Sequence, residues 1–410
     1  MKKNLIILGT GFGAYSLIKS LPSDLYQVTV ISPRNYFLFT PLLPSTTVGT
    51  IEFRSIIEPI RHSAKYLTYL QAFAERIDTT NKTIGCRSAI LDEEFEVKYD
   101  VLVIAVGASN NTFGIEGVKE HAVFLKELDD ARILRRKILD NFELAALPTI
   151  PVEERHRLLH TVVVGGGPTG VEFAAELSDF LEDELTYTYP QLISSSSLTI
   201  VEAGKQLLNL FDEKLSLYAG QLFSRRKIRV MTNTVVKKVS RNKLFLNNNS
   251  ELDFGLLVWS TGNTSNPFIQ KLPFEKDRNG RILTDSNLLI KGLEDIYAIG
   301  DCATPSDFSQ PATAQVAMQE GKYLATVFKK KATHSSFKPK PFLWQNFGML
   351  AYIGDNKALA DLPQTKSSGF GTWIFWRSAY LTKLVSLKNK VQVLYDWLKA
   401  SIFGRDVSRF

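Results

Sequence analysis

Two glycine-rich turns, Gly9-Thr10-Gly11-Phe12-Gly13-Ala14 and Gly165-Gly166-Gly167-Pro168-Thr169-Gly170, each stand directly behind a short apolar run, Leu5-Ile6-Ile7-Leu8 in the first case and Val162-Val163-Val164 in the second. That placement predicts the strand-to-helix turn of a Rossmann unit, twice in one chain. The residue types follow from the chemistry. The first glycine of each set makes the tight turn, and the second lets the backbone approach a pyrophosphate. The third position, Ala14 or Gly170, lets the helix pack closely on its strand. Free N–H groups at the helix start then face the anion. A single loop of this kind is also compatible with a ligand-free turn. Two, each correctly placed, imply two dinucleotides.

At 410 residues the chain exceeds one ordinary core, and its 44% apolar content is that of a folded globular protein. A second strand is expected over 27–32, followed by a charge-free segment from Asn35 to Ile51 in which Pro41 and Pro44 predict a loop. A strand over 101–106 runs into Gly107-Ala108-Ser109, and a helix is expected over 128–147. In the second unit a strand over 198–201 ends in Glu202, and Leu257-Val258-Trp259 runs into Ser260-Thr261-Gly262. Ile296-Tyr297-Ala298-Ile299 is a further buried strand, finishing in Gly300-Asp301. This order implies an α/β fold in which one nucleotide domain is interrupted by another: 1–113 and 264–330 for the first, 114–263 for the second. A C-terminal region, 331–410, is joined through the lysine- and proline-containing stretch 329–341.

The net charge of +7 is concentrated at one end. From Lys329 onward fourteen Lys/Arg face four Asp, a segment charge of +10, so the preceding residues sum to −3. Val391, Leu394, Tyr395, Leu398 and Ile402 recur there at helical spacing, with Lys388, Lys390 and Lys399 off the stripe, and three of the five tryptophans (373, 376 and 397) lie close by. A helix lying among the headgroups of an anionic membrane has this composition; a core-packed or dimer-forming helix would share the stripe. Basic residues interleaved with a regular apolar face speak against nucleic acid. No apolar run reaches the roughly 18 residues of a membrane-spanning helix, so membrane contact is expected to be peripheral. Cys86 and Cys302 form no C-x-x-C, and the five histidines show no ligand spacing, so neither a disulfide framework nor a metal is expected.

Beyond the two loops, five stretches carry a finer signal: Ser32 to Pro44 (SPRNYFLFTPLLP), Gly107-Ala108 with Asn111 to Ile115 (NTFGI), Ala298-Ile299-Gly300-Asp301, Thr313 to Gln319 (TAQVAMQ) and Trp376 to Leu381 (WRSAYL). Together they resemble the type II NADH:quinone oxidoreductases, or alternative NADH dehydrogenases, among the flavoproteins with two dinucleotide-binding domains. The resemblance implies FAD in the first domain, NADH in the second, a membrane quinone (ubiquinone or menaquinone) as acceptor, and no proton pumping. It also implies two nested Rossmann-like domains with an amphipathic membrane-anchoring region. The first strand starts at once, with no room for a leader, which points to the cytoplasmic face of a bacterial inner membrane. A mitochondrial inner membrane requires a removed presequence. A homodimer is compatible. There are two departures. Ser32 stands where many FAD-binding units carry a ribose-binding Glu, and no D-x-[DN]-x-[DN]-G loop marks the calcium-regulated subset. A soluble ferredoxin-type NAD(P)H:acceptor reductase and a membrane-associated NADH-sensing flavoprotein are the alternatives; the basic aromatic tail speaks against the first and the Gln315/Gln319 pair against the second. Sulfide:quinone chemistry needs a reactive cysteine pair, which this spacing does not present.

Residue by residue, the resemblance assigns FAD contacts to Gly9, Gly11, Phe12, Gly13, Ser32, Pro33, Arg34, Thr40, Pro41, Ala105, Val106 and Gly107, and to Gly300, Asp301, Thr313, Ala314 and Gln315. Asp301 suits the ribityl hydroxyls, or alternatively caps the next helix. Thr313 is expected to open a helix whose N-terminus faces the flavin pyrimidine edge. NADH contacts fall to Gly165, Gly166, Gly167, Pro168, Thr169, Gly170, Glu172, Glu202, Thr261 and Gly262, with Glu202 placed for a ribose 2′-OH. Quinone contacts fall to Gln315, Gln319, Tyr380 and Leu381. Glu172 is a catalytic candidate with Gln315 and Gln319; its plainer role is to complement the helix dipole from the first turn.

Overall fold

The computed structural model describes residues 2–64, 66–334 and 336–409. Strand β1 (Lys3–Leu8) leads through the first glycine turn into α1 (Phe12–Ser20), followed by β2 (Tyr26–Ile31), β3 (Leu67–Leu70) and β4 (Val101–Ile104). Then come β5 (Val123–Phe124), α2 (Leu128–Ala146), β6 (His160–Val164), α3 (Pro168–Phe180), β7 (Ser197–Val201), β8 (Arg229–Met231) and β9 (Leu256–Trp259). The chain ends with β10 (Ile296–Ala298), α4 (Ala314–Thr333), β11 (Met349–Gly354), β12 (Lys357–Asp361), β13 (Lys366–Gly369), α5 (Phe370–Lys383) and α6 (Leu387–Phe403).

These elements form two compact units, one of residues 1–38, 57–109 and 263–346, the other of residues 39–56, 110–262 and 347–410. The first is built on a parallel sheet of order β10-β4-β1-β2-β3, with Leu8 level with Ile31 on one side and Ile104 on the other. The sheet of the second unit runs β5-β9-β6-β7-β8, with Val164 level with Val201 and Trp259. In both, the strand that feeds the glycine turn is central, and the strand order reverses beside it, where an open α/β sheet takes its ligand. Near-continuous apolar strands such as Leu5-Ile6-Ile7-Leu8 and Val162-Val163-Val164 are buried because helices cover both faces of such a sheet.

One expectation changes. The segment after Asn35 is not a loop: Tyr36–Leu38 is a strand, Thr40–Leu42 a 3-10 turn and Leu43–Thr46 a helical turn. Pro41 and Pro44 each fall in the first turn, where a missing N–H is an orphan anyway, so they start helical turns here. The segment is charge-free because Leu42, Leu43, Thr46, Thr47, Val48 and Ile51 are buried. Helix α3 runs on through a π-helical turn, Leu181–Leu185, before breaking up. The helix over 128–147 and the strands ending near Glu202, Trp259 and Gly300 are where the sequence places them.

Candidate active site

The two glycine turns have the same construction. Gly9 (φ +104°) and Gly165 (φ +114°) hold left-handed backbone, and a Cβ on either would collide with the neighbouring strand's exit, at the Ala105 carbonyl for Gly9 and at Ser260 and Thr261 for Gly165. Gly11 and Gly167, the second glycines, face open space. The third positions are filled: Ala14 is fully buried, a Cβ on Gly13 would press on the Ile299 side chain, and one on Gly170 would strike the Gly165 carbonyl. Backbone freedom, an open approach and tight helix packing thus occur in the order a pyrophosphate cradle needs. The residues present fit a dinucleotide in each unit.

In the first unit Ser32 follows the end of β2 and forms a knot of hydrogen bonds there. Its carbonyl accepts the Tyr69 hydroxyl at 2.6 Å and its Oγ accepts the Arg34 N–H at 3.3 Å, while Thr10 Oγ1 donates to the Arg34 carbonyl at 3.2 Å. Pro33 is held by Gln71 at 3.0 Å. Asp301 lies in the 3-10 turn Gly300–Cys302 that follows β10. Sequence reasoning missed what fixes that turn. Glu320, buried on α4, accepts the Gly300 N–H at 2.6 Å, and burial pushes its carboxyl up to about 8. Helix α4 starts as expected, with Thr313 Oγ1 accepting the Val316 N–H, so Ala314 and half-buried Gln315 lie in its first turn. Gln319, one turn on, gives both ends of its amide to Gln345: Nε2 donates to the carbonyl at 2.9 Å and Oε1 accepts the N–H at 2.8 Å. Cys86 and Cys302 are separate buried thiols in one apolar cluster, pushed by burial to about 11 and about 12. Neither supplies a thiolate at neutral pH.

In the second unit Glu202 ends β7 beside the glycine turn. One oxygen accepts the Gly166 N–H at 2.6 Å and the other the Gly204 N–H at 2.5 Å, so the carboxylate braces the turn. The Trp259 indole donates to the Asn111 carbonyl at 2.9 Å, and the Asn111 N–H donates to the Gly262 carbonyl at 3.1 Å, which ties Thr261-Gly262 to the Asn111 to Ile115 stretch. Thr40 and Pro41, in the 3-10 turn of this unit, are half-buried.

Glu172 is not in the first turn of α3, so the dipole role fails on position. It is buried, and burial pushes its carboxyl up to about 8, with the Glu176 charge adding to the rise and the Tyr352 N–H, donated at 3.1 Å, opposing it. The group therefore holds a proton at neutral pH. Glu172 opens a row that the sequence reading did not single out. Glu176 and Asp179 follow at helical spacing on the same buried face. Glu176 accepts Ser45 Oγ at 2.6 Å and Thr50 Oγ1 at 2.7 Å; Asp179 accepts the Tyr352 hydroxyl at 2.5 Å and pairs with Arg226 at 2.7 Å. Arg405, from the tail, donates to Thr50 Oγ1 at 2.9 Å. Tyr352, Trp376 and Tyr380 form a contiguous aromatic wall, with ring centroids 5.5 Å and 4.9 Å apart in turn. The Tyr380 hydroxyl is pushed well above its usual value by desolvation and by the Glu172 charge; Tyr380 and Leu381 are both half-buried. An i, i+4, i+7 acidic spacing inside an otherwise apolar helix is the signal that could have found the row.

Residues 3–321 match the family described as pyridine nucleotide-disulphide oxidoreductase, and residues 346–406 match the NDH2 C-terminal domain. A probable NADH dehydrogenase of Dictyostelium discoideum is 45% identical, over 100% of this chain and 91% of its own length. The external alternative NADH-ubiquinone oxidoreductase of Yarrowia lipolytica mitochondria is 41% identical, over 100% and 81%. The chain belongs to the NDH2 family of alternative NADH dehydrogenases. The solved structure of Plasmodium falciparum NDH2 in complex with NADH has a TM-score of 0.96 and 32% identity, covering 100% of both chains. Within the NDH2 fold, residues 347–410 form one compact unit with the second Rossmann sheet, chiefly through α3 against β11. Despite the wider family's name, the two cysteines of this NDH2 chain form no disulfide.

Proposed function

We propose that this chain is a peripheral membrane flavoenzyme that takes two electrons from NADH through FAD to a membrane quinone without pumping protons. The observation that carries the reading is the pair of equivalent glycine cradles, one per unit, in a chain of the NDH2 family. Bound FAD supplies the two-electron chemistry; the chain's own residues bind, orient and manage protons. Gly9, Gly11 and Gly13 hold the FAD pyrophosphate, and Glu320 fixes the Gly300-Asp301 turn so that Asp301 meets the ribityl hydroxyls. The α4 N-terminus at Ala314 and Gln315 offers N–H groups where negative charge develops. Gly165, Gly167 and Gly170 hold NADH, and Glu202 accepts from its adenosine ribose. Gln315 donates to a quinone carbonyl, Gln319 steadies that helix through Gln345, and Tyr380 and Leu381 line the quinone's entry. Glu172, protonated at neutral pH, delivers a proton towards reduced quinone, with Glu176 behind it.

The same reading covers the membrane. Among the described residues no helix is long and apolar enough to cross a bilayer. The predicted stripe of α6 is exposed, with Leu394 at 55% and Leu398 at 56%, while Val393 and Trp397 are buried on its other face. Phe370, Ile374 and Phe375 of α5 are exposed as well. Such a surface, on a basic segment, suits an anionic leaflet, and the relatives' mitochondrial names favour the inner mitochondrial membrane over a bacterial one. A second copy is the competing occupant of the stripe. The deciding experiment is spectral: anaerobic NADH should bleach the flavin and added quinone should restore it. Bleaching without recovery by any quinone would overturn the reading.

A further inference from the structure

A cavity of about 890 Å³ opens in the second unit between α2, the 3-10 turn Phe53–Ile56 and α6. That size suits a small-molecule site. Five guanidinium groups line it: Arg54, Arg132, Arg135, Arg136 and Arg409. Three carboxylates also reach the wall, and each is engaged there. Glu52 pairs with Lys399 at 3.1 Å, Asp129 with Arg132 at 3.1 Å, and Asp396 accepts the Glu52 N–H at 3.0 Å while burial pushes its carboxyl up. Arg135 is buried and donates to the Asp406 carbonyl at 2.5 Å, and Arg409 pairs with Asp140 at 2.5 Å, which fixes two of the five against the wall. Arg54 and Arg136 are exposed side chains at the cavity. Like charges collected round one concavity repel each other, and an anion offsets that cost. The planar guanidinium fork matches phosphate better than a simple point charge does.

The rim distinguishes among phosphate-bearing ligands. Tyr395 of α6 belongs to the cavity wall, and its neighbours one turn away, Val391 and Leu398, together with Leu394, are more than half exposed. A ligand whose phosphate enters among the arginines therefore leaves its other end beside apolar surface. A wholly soluble phosphate makes no use of that surface; an amphiphile does. We propose that this cavity is a headgroup site for an anionic phospholipid, whose phosphodiester is held by Arg54, Arg132 and Arg136 and whose acyl chains lie along Val391, Leu394 and Leu398. The proposal deepens the membrane part of the functional reading, giving the protein a preference for lipid type in addition to general adhesion. It does not depend on which acceptor takes the electrons.

The test uses the full-length FAD-loaded protein and a lipid that stays monomeric in solution. Calorimetric titration at physiological salt with dihexanoyl-phosphatidylglycerol, below its micelle concentration, is expected to give one site per chain. The double variant Arg54→Glu/Arg136→Glu should weaken it roughly tenfold or more, as loss of two charge-assisted contacts implies. The charge-matched double variant Lys322→Glu/Lys329→Glu, on exposed positions of α4, should leave it within about twofold. Flavin bleaching by NADH serves as the folding check for both, and because the titration involves no quinone, failure of the acceptor reading is separately visible. Equal weakening in the two variants would reduce the effect to diffuse charge. Glycerophosphoglycerol or inorganic phosphate binding as tightly as the lipid would replace a lipid site by a soluble-phosphate site. A chain that shows no binding, or that dimerises with α6 covered and excludes the lipid, would overturn the proposal.

Discussion

The two Rossmann units share a glycine turn and differ in the helix that leaves it. Helix α1 buries Ala14, Tyr15, Leu17 and Ile18 and packs on α4, where Gly13 and Gly321 let the two helices approach. Helix α3 buries three carboxyl groups as well as its apolar residues. Burying a carboxyl group costs free energy unless it is protonated or hydrogen-bonded, and α3 uses both solutions along one face: Glu172 protonated, Glu176 held by two hydroxyls, Asp179 paired with an arginine. The partners come from residues 45–50, from Tyr352 of β11, from Arg226 and from the tail. The difference teaches that a dinucleotide cradle makes few demands on the helix behind it, so the far face of that helix is available for other chemistry. In the second unit it carries a titratable row.

The largest effect is expected where the row is most tightly paired. Arg226 and Asp179 have side chains 8% and 6% exposed, so Arg226→Ala strands a buried charge and should destabilise the second unit by about 3–5 kcal/mol. A chemical denaturation curve reads this directly. A loss below about 1 kcal/mol, the range of surface pairs, would mean that the row is solvated and that α3 differs little from α1.

The glycine turns come next, and they separate the units. Gly9→Ala and Gly165→Ala each force a Cβ onto left-handed backbone and into the neighbouring strand's exit. The first should purify with little flavin. The second should keep its flavin yet need roughly a hundredfold more NADH to reduce it, in line with the strain of such a site. If both variants lost the same cofactor, the assignment of one nucleotide to each unit would fail.

Glu172→Gln should retain FAD and slow quinone-dependent turnover roughly tenfold, as removal of a positioned acid does. It also sharpens the comparison through pH. The folded carboxyl sits at about 8 against an ordinary 4.5. Its raised value favours the folded state's protonated form, so its contribution is intact below about 4.5 and is lost as pH rises towards 8 and the unfolded chain ionises first. Glutamine has no such loss. Melting temperatures of wild type and variant should therefore agree below about pH 4.5 and diverge as pH rises from there to about 8, with the variant the more stable. Parallel curves at every pH would place the carboxyl in water. Glu320→Gln, at a carboxyl also near 8 in the first unit, should show the same divergence but loosen FAD, because it removes one acceptor from the Gly300 turn.

How much of this was legible depended on whether a feature is local. The glycine turns, the strands ending at Glu202, Trp259 and Gly300, the Thr313 cap and the α6 stripe rest on short-range spacing, and the structure has them where spacing put them. The segment after Asn35 misled because proline reads alike in a loop and in a first helical turn; only its burial, set by distant residues, decides between them. Glu176 and Asp179 went unnoticed for the same reason. Acidic residues on a helix signify solvent unless something 100 or more residues away, here Tyr352 or Ser45, closes over them. The hold of Gln345 on the Gln319 amide had no signal either, because nothing local to Gln345 marks it.

The smallest expected effect tests the ribose ends of the two units. In the first, neutral Ser32 is tied to Thr10, Arg34 and Tyr69; in the second, the Glu202 carboxylate accepts N–H groups from Gly166 and Gly204. Glu202→Gln therefore does two things at once. It replaces one acceptor oxygen by an amide NH2 that faces an N–H, which loosens the turn for any dinucleotide, and it removes the negative charge that repels a 2′-phosphate. The first effect raises the KM for NADH and NADPH alike; the second lowers only the NADPH value. Measuring both should show NADH weakened about threefold to tenfold while the preference for it over NADPH shrinks by a similar factor, as expected for one charge-assisted contact. If both cofactors weaken together and the preference is unchanged, Glu202 is a brace for the turn, and the two units recognise ribose without the carboxylate that appeared to distinguish them.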